Sequence, residues 1–489
     1  MRVAPVLDGK QMPDAGGRCL EVLNPATGKV IAQQVCCSGD DLARMVQSSQ
    51  RAFRSAEWQK LTPADRGVLL FRLADAIDAE AERLVEMELL DSGKPISQLR
   101  QVELPFAAAL LRFYGGAADK IEGAVKNTPG GLHITMYQPY GVVAVITPWN
   151  YPLVNAVMQV APALAAGNAV VVKPSEETPL TTVALGELAA EVGIPAGIVN
   201  VALGLGPEAG RDLVVHPQVK NVSFTGSTEV GQLGLAADQM KPVNLECGGK
   251  NAIVVFADAD LDRAAEAAVF SGFTNCGQLC VSCSRCLVAE LIADEFEQLL
   301  LGKLSKLKVG DPRDEATHVG PMITRPQYEK ALKYMQQAPK EGCTILAGGG
   351  KLELPGGLAG GFWLQPTLLS GVTEHMKVAQ EEIFGPVLSI MRFAEEADAV
   401  RIANGVCYGL SGSVWTSNVE RVGRMVQALD TGIIWVNTML VGYPQIPVPP
   451  HKMSGTGIEL GMEAVLAFCQ RKSAVINSDQ TAPVGWDLG

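Results

Sequence analysis

The sequence predicts an α/β protein with more than one domain, on three observations. The 489-residue chain is too long for one ordinary hydrophobic core, and 47% hydrophobic residues with 51 glycines describe a globular chain rich in turns. Residues 128–172 contain no Lys, Arg, Asp or Glu, yet Pro148, Pro152, Pro162 and Gly167 divide them into strand, turn, helix and strand, the pattern of a βαβ unit in a buried parallel sheet. A second region of αβ character follows Arg285.

Taken in order, a β-rich start at residues 21–30 leads into helices over residues 40–118. In one of them Leu70, Leu73 and Ile77 recur at helical spacing while Asp65, Arg66, Arg72 and Asp75 carry charge for a solvated face. Within residues 123–138 the period drops to two, with Leu132, Ile134 and Met136 alternating beside the turn Thr128-Pro129-Gly130-Gly131, which predicts a hairpin. An isolated hairpin is marginal, so it needs another surface to lean on. The charge-free stretch then reads as a strand over 141–146, a turn at Thr147-Pro148-Trp149-Asn150, a helix over 153–166 and a strand over 169–173. A membrane span is disfavoured by its prolines and by Asn150, Asn155, Gln159 and Asn168, which are costly in lipid.

Ligands of parallel sheets bind beyond the carboxyl ends of the strands, and here those ends are polar. Asn150 is either a turn and capping residue or an amide donor to an oxyanion. Lys173-Pro174-Ser175-Glu176 closes the second strand. A carboxylate at Glu176 accepts both hydroxyls of an unphosphorylated ribose and repels a 2′-phosphate, which points to NAD over NADP; the alternative is a helix-capping Glu. Gly204-Leu205-Gly206-Pro207-Glu208-Ala209-Gly210 approximates a dinucleotide fingerprint with one residue too many, and alone predicts a loop. Val222 to Gly231 reads as strand, tight turn and helix start, placing Gly226 and Ser227 where a pyrophosphate can be held. Glu246, before Gly248-Gly249, is either a surface carboxylate or a partly buried base with its pKa raised toward neutrality.

Four of the eleven cysteines crowd into the stretch from Phe273 to Cys286. Buried cysteines commonly serve as small hydrophobes. The spacing Cys276-x3-Cys280-x2-Cys283-x2-Cys286 would also suit an iron–sulfur cluster. In a third reading Cys280 alone is a nucleophile, turned outward by Gly277, served by the amide dipoles of Gln278 and helped to ionise by something nearby.

A net charge of −12 and a pI near 5.1 argue against nucleic acid, which needs a positive footprint. An odd number of cysteines without a small-scaffold framework, and a start with no apolar signal core, predict reduced thiols in the cytoplasm. The five histidines are too scattered for zinc, and no metal is expected.

Phe273-x-Asn275-x-Gly277-Gln278-x-Cys280, preceded by Leu245-Glu246-Cys247-Gly248-Gly249-Lys250, resembles the two active-site signatures of the NAD(P)-dependent aldehyde dehydrogenases. The resemblance spans about residues 24–471 and leans toward the betaine-aldehyde branch. It implies an aldehyde-dehydrogenase-like fold. A Rossmann-like NAD-binding domain would comprise residues 1–118 and 139–247, with 437–469 returning to it. An αβ catalytic domain would comprise residues 248–436, and a β-hairpin oligomerisation arm residues 119–138 with 470–489. The implied catalytic residues are Cys280, Glu246 and Asn150. NAD would be held by Ile146, Thr147, Trp149, Lys173, Glu176, Gly206, Gly210, Gly226, Ser227, Glu382 and Phe384. The implied partners are a small aldehyde and further copies of the chain, as a dimer or tetramer, with neither nucleic acid nor membrane.

Two features set the chain apart within that resemblance. Pro449-Pro450-His451-Lys452-Met453-Ser454-Gly455 stands where Gly-Gly-x-Lys-x-Ser-Gly is usual, so a flexible turn on the substrate side is expected to be rigid. The aromatic cage of the betaine-aldehyde branch looks incomplete: Tyr151 is kept, but Met158 and Val448 offer an apolar lining, with Tyr443 as a further aromatic face. That predicts a neutral alkyl or aryl aldehyde or semialdehyde, with a betaine or amino-aldehyde as the alternative. From other classes, an iron–sulfur enzyme using Cys276, Cys280 and Cys283, or a binding protein that lost its chemistry, are the rivals.

Overall fold

The charge-free stretch is the centre of the first sheet. In the computed structural model, which describes residues 1–234, 239–478 and 485, strands β1 (Val142–Ile146) and β2 (Ala169–Lys173) run parallel and are joined by helix α1 (Pro152–Ala165). All of β2 and all but the last residue of β1 are buried. Strands covered on both faces have no solvent side to mark with polar residues, hence the unbroken valines. Pro152 sits in the first turn of α1, where a missing N–H costs nothing.

Strands β3 (Val199–Val201), β4 (Val219–Thr225) and β5 (Val243–Glu246) complete the parallel core in the order β5-β4-β1-β2-β3, and Val6–Leu7 and Lys10–Gln11 extend the far edge antiparallel. The chain steps outward from β1 to β3, then returns to lay β4 on the other side of β1. That reversal creates a crevice at the carboxyl ends of β1 and β4, where ligands of such sheets bind.

The second sheet begins five residues after β5 ends. Its strands are β6 (Asn251–Val255), β7 (Cys283–Ala289), β8 (Thr344–Ala347), β9 (Thr367–Ser370), β10 (Val387–Phe393), β11 (Ser411–Trp415) and β12 (Ile433–Val436), in the order β8-β9-β10-β7-β6-β11-β12. Only the β8 pairing is antiparallel.

Residues 39–117 are mainly helical, as their periodicity predicts. The helix Pro63–Ala79 starts on a Thr62–Asp65 capping box and buries Leu70, Leu73 and Ile77. The predicted hairpin is present as Ala124–Thr128 and Gly131–Pro139, and it leans on a third antiparallel strand, Cys469–Asn477. Of the expected arm segment 470–489, residues 479–484 and 486–489 lie outside the described residues. The expected loop at residues 204–210 is instead a π-helical turn, Gly206–Gly210, running into the helix Arg211–Val215. Pro207 in the first turn, with its φ already helical, outweighs the glycines there. Among the described residues no helix is long and apolar enough to cross a membrane.

Candidate active site

A cavity of about 1180 Å³ runs from the carboxyl ends of β1, β2 and β4 to the second sheet, and Cys280, Glu246 and Asn150 all line it. The loop that presents Cys280 follows helix α2 (Leu261–Phe273). Its next turn places Asn275, Cys276 and Gly277 consecutively at positive φ, 48°, 56° and 71°. Non-glycine residues pay about 1–3 kcal/mol each for such a conformation and keep it only where their surroundings insist. Here Asn275 Nδ2 donates to the backbone oxygens of Asn150 (3.0 Å) and Gln278 (3.3 Å). At Gly277 any Cβ would come within 2.3 Å of Gly385 O.

Gln278 braces this loop from within, which corrects its expected role beside the thiol. Its Nε2 donates to Asn275 O (3.0 Å) and its Oε1 accepts from Ile323 N (3.0 Å), so the amide is consumed by scaffold. Past the turn, Asn251 Nδ2 donates to Cys280 O (2.7 Å) and to Ser282 O (2.8 Å).

The other three thiols of the stretch are buried and apart. Cys276 Sγ and Cys283 Sγ each lie 3.7 Å from a methionine sulfur, Met322 and Met439 respectively. Cys283 and Cys286 both lie in β7, fully buried on either side of a register irregularity in its pairing with β6. Among the described residues no group of three or more His, Cys, Asp or Glu could hold a metal, so Cys276, Cys280 and Cys283 do not form a cluster site. All eleven cysteines are free thiols.

Burial pushes the Cys280 thiol well above its usual pKa, and Glu459, Glu382 and Glu246 push it further; the Val281 N–H opposes them. The expected help with ionisation therefore does not come from a neighbouring cation, and the thiol rests protonated. Asn150, 5% exposed, donates from Nδ2 to Gln278 O (3.1 Å) and accepts at Oδ1 from Asn155 Nδ2 (3.2 Å). These two contacts fix which end of the amide is the donor, and one N–H remains for a ligand.

Glu246 is the last residue of β5, 4% exposed, and its Oε1 has no hydrogen-bond partner. Burial holds its pKa well above the carboxylate range, and the charge of Glu459 raises it further. Glu459 was not anticipated. Its Oε1 accepts from Gln159 Nε2 (2.6 Å) and Thr225 Oγ1 (3.1 Å), it lines the same cavity, and burial lifts its pKa to about 7. The signal was available: Ile458-Glu459-Leu460-Gly461 repeats the apolar-Glu-apolar-Gly pattern of Leu245-Glu246-Cys247-Gly248.

At the other end of the cavity Ile146 ends β1 and Thr147 and Trp149 follow it, while Lys173 ends β2 and forms an ion pair with Glu176 (3.1 Å). Burial lowers the Lys173 pKa, against the pull of Glu176. Gly206, Gly226 and Ser227 line the wall, with Ser227 Oγ accepting from Val230 N (3.3 Å) at a helix start. Gly210 does not line it; it packs behind Ile146 and Lys173. Glu382 Oε1 accepts from Gly249 N (2.9 Å), and a Cβ on Gly248 would meet that carboxylate at 2.4 Å. Phe384, at φ 55°, stands edge-on to Trp149 with ring centroids 5.3 Å apart.

Comparison with known proteins agrees with this geometry. Residues 12–474 match the family described as Aldehyde dehydrogenase family. The chain belongs to that family. It is 40% identical over 478 residues to the 2-hydroxymuconic semialdehyde dehydrogenase of Pseudomonas sp. (strain CF600), covering 96% of this chain and 98% of the relative. It is 38% identical to the mitochondrial benzaldehyde dehydrogenase of Antirrhinum majus, covering 96% and 88%. A point mutant of betaine aldehyde dehydrogenase from Staphylococcus aureus, solved with NAD+, superposes with a TM-score of 0.95 at 36% identity, covering 99% of both chains.

Within this aldehyde dehydrogenase the departure at Pro449–Gly455 lies elsewhere than expected. None of residues 449–455 lines the cavity; they pass behind Glu246. Cys247 N donates to Ser454 O (2.7 Å), and a Cβ on Gly455 would sit 2.0 Å from Leu245 O. Rigidity there supports β5 instead of shaping the pocket. Tyr151, Met158, Val448 and Tyr443 line the cavity, and so do Phe106 and Trp435, which no motif marked.

Proposed function

We propose that this aldehyde dehydrogenase oxidises a neutral aryl or alkyl aldehyde, or a semialdehyde, to its carboxylate through a thioester on Cys280. The observation that carries the reading is one continuous cavity in which the Cys280 thiol, the spare N–H of Asn150 and the unpartnered carboxyl of Glu246 share a space. Cys280 gives up its proton to water in the cavity and adds to the carbonyl carbon, whose C=O π bond opens to an oxyanion. Asn150 Nδ2 and the Cys280 N–H hold the oxyanion of the thiohemiacetal. NAD, when bound, supplies the hydride acceptor. Glu246, once ionised, removes a proton from water so that it can attack the thioester and release the acid.

The residues present fit that cofactor. Lys173 and Glu176 form a charged pair suited to the hydroxyls of an unphosphorylated ribose, and Gly248, where a side chain would collide with Glu382, leaves room for a second ribose against that carboxylate. Lys330 and Gln327 also line this end; burial raises the Glu382 pKa, while the Gly249 N–H and the Lys330 charge oppose it. The domain reading, with a cofactor domain through 247 and a catalytic domain from 248, is supported by the change of sheet there. The three-stranded arm, with Val125, Val475 and Ile476 exposed, supports self-association, and the free thiols support a reducing cytoplasmic setting.

An aldehyde panel followed by NADH absorbance tests the reading. Benzaldehyde or a medium-chain alkanal is expected to exceed betaine aldehyde in kcat/KM, and failure of every aldehyde would remove the proposal. The second reading, a cationic amino-aldehyde, is favoured by the aromatic faces of Tyr151, Trp435 and Tyr443. A tenfold preference for betaine aldehyde, about 1.4 kcal/mol, would establish it.

A further inference from the structure

Behind the aldehyde end of the cavity lies a buried charged cluster for which the reaction has no use. Lys94 Nζ donates to Glu88 Oε1 (2.9 Å) and to Glu103 Oε2, and all three side chains are at most 2% exposed. The cluster reaches the cavity wall by two routes. Glu88 Oε2 accepts from Leu153 N (3.3 Å) and Thr181 Oγ1 (3.0 Å), which caps the first turn of α1, a helix whose own N-cap, Tyr151, supplies no side-chain bond. Glu103 Oε1 accepts from Gln98 Nε2 (2.8 Å), and the same nitrogen donates to the Tyr151 hydroxyl (3.3 Å).

The second route determines the direction of a hydrogen bond. A glutamine amide can present either its oxygen or its NH2. Burial raises the Glu103 pKa while the Lys94 ammonium bonded to it opposes the rise; paired with that cation as a carboxylate Glu103 accepts only, so Gln98 turns its NH2 toward both Glu103 and Tyr151. The Tyr151 oxygen is thereby an acceptor, and its own hydrogen must point elsewhere. No protein acceptor for it is found among the described residues, and Tyr151 lines the cavity. Lys94 Nζ stands 4.4 Å from the ring centroid on the buried side and fixes the ring further. Burial raises the phenol pKa, with the charges of Glu103, Cys280 and Glu88 adding, so the proton is retained and the field at the hydroxyl disfavours an anion.

Building on the aldehyde reading above, we infer that Tyr151 is a specificity-determining hydrogen-bond donor for a neutral oxygen on the substrate, a hydroxyl, ether or carbonyl, with Gln98 and Glu103 as the positioning residues that aim it. A site built around a donor discriminates against substrates that leave the donor unpaired, more than a purely apolar wall can.

The test is the ratio of kcat/KM between isosteric aldehydes that do and do not carry the oxygen: ortho-, meta- and para-methoxybenzaldehyde against the corresponding ethylbenzaldehydes. Intrinsic electronic effects of the ring substituent cancel when the ratio in Tyr151→Phe is divided by the ratio in the parent enzyme. At one ring position the oxygen-to-carbon ratio is expected to fall about three- to tenfold, the range of one neutral hydrogen bond. Gln98→Met and Glu103→Gln should lower the same ratio, the latter because a neutral amide lets Gln98 turn its oxygen to the hydroxyl. NAD binding by each variant reports an intact fold. A ratio unchanged within twofold at all three positions overturns the inference while leaving the aldehyde reading standing. A hydroxyl that served the Cys280 sulfur instead would slow both aldehydes of each pair alike, again leaving the ratio unmoved. Turnover of none of these aldehydes, nor of any alkanal, would remove the underlying reading and the inference with it.

Discussion

The two ends of the cavity are built by different rules. The cofactor end stands on the turns that follow consecutive parallel strands: Thr147 after β1, Lys173 and Glu176 closing β2, Gly226 after β4. A parallel sheet brings successive carboxyl ends to one rim, so short runs of sequence become neighbours in space. The aldehyde end is assembled from side chains dispersed over Phe106, Tyr151, Met158, Phe270, Trp435 and Val448. Each of these is contributed by a different part of the chain or packs a core as well as the pocket. In the proposed function, chemistry and cofactor recognition are therefore concentrated in few atoms, while substrate choice is spread over many.

That contrast predicts a hierarchy of substitution effects. Cys280→Ala should abolish NADH formation, whereas Cys276→Ala, Cys283→Ala and Cys286→Ala, which change buried packing, should retain most of it. Collective loss in all four would mean that the thiols act as a unit and break the comparison. Glu246→Gln should slow steady turnover by about 10²–10⁴-fold while preserving a burst of about one NADH per site, because only water activation needs the base. Rapid mixing that showed no burst, with cofactor still bound, would confine Glu246 to another step. Asn150→Ala should slow the burst itself by about a hundredfold or more through loss of an oxyanion donor.

Effects of pH sharpen the same division. Glu246 and Glu459 both keep their protons to higher pH than ordinary carboxyls, Glu459 to about 7. A base works only when ionised, so thioester hydrolysis should rise as pH climbs above the ordinary carboxylate range in the parent enzyme and lose much of that slope in Glu246→Gln. At the aldehyde end, Met158→Ala should shift the preference between benzaldehyde and hexanal by about tenfold at most, the scale of a few methylenes in an apolar pocket. A change of a thousandfold there would show that this wall is as concentrated as the other.

The legibility of the sequence follows the same contrast. Gly277, Cys280, Glu246 and Asn150 could be picked out because each lies within a few residues of a distinctive turn, and the structure brings the last three to one cavity. The βαβ unit could be read because prolines punctuate it. Phe106 and Trp435 could not, since an aromatic residue in a helix or strand is ordinary core until the other walls are in place. Gln278 was misread because its amide is spent on backbone partners 45 residues away at Ile323 as well as within its own loop. The Pro449–Gly455 segment was placed on the wrong side of Glu246 because its position depends on a bridge between Glu246 and Gly455, a long-range pairing that no local pattern announces.

Stored protons in a dry cleft also bear on stability. The carboxyls of Glu246 and Glu459 have folded-state pKa values above the roughly 4.3 of an unfolded chain, so across the interval between those values the native protein binds more protons than the unfolded one. Unfolding then releases protons from these two groups, and their contribution to native stability declines as pH climbs through that interval, to about 7 for Glu459. For these two carboxyls, the pH that readies the base for work thus lies on the alkaline side of the pH at which they burden the fold least, so the proton that must leave for turnover is one whose retention favours the native state.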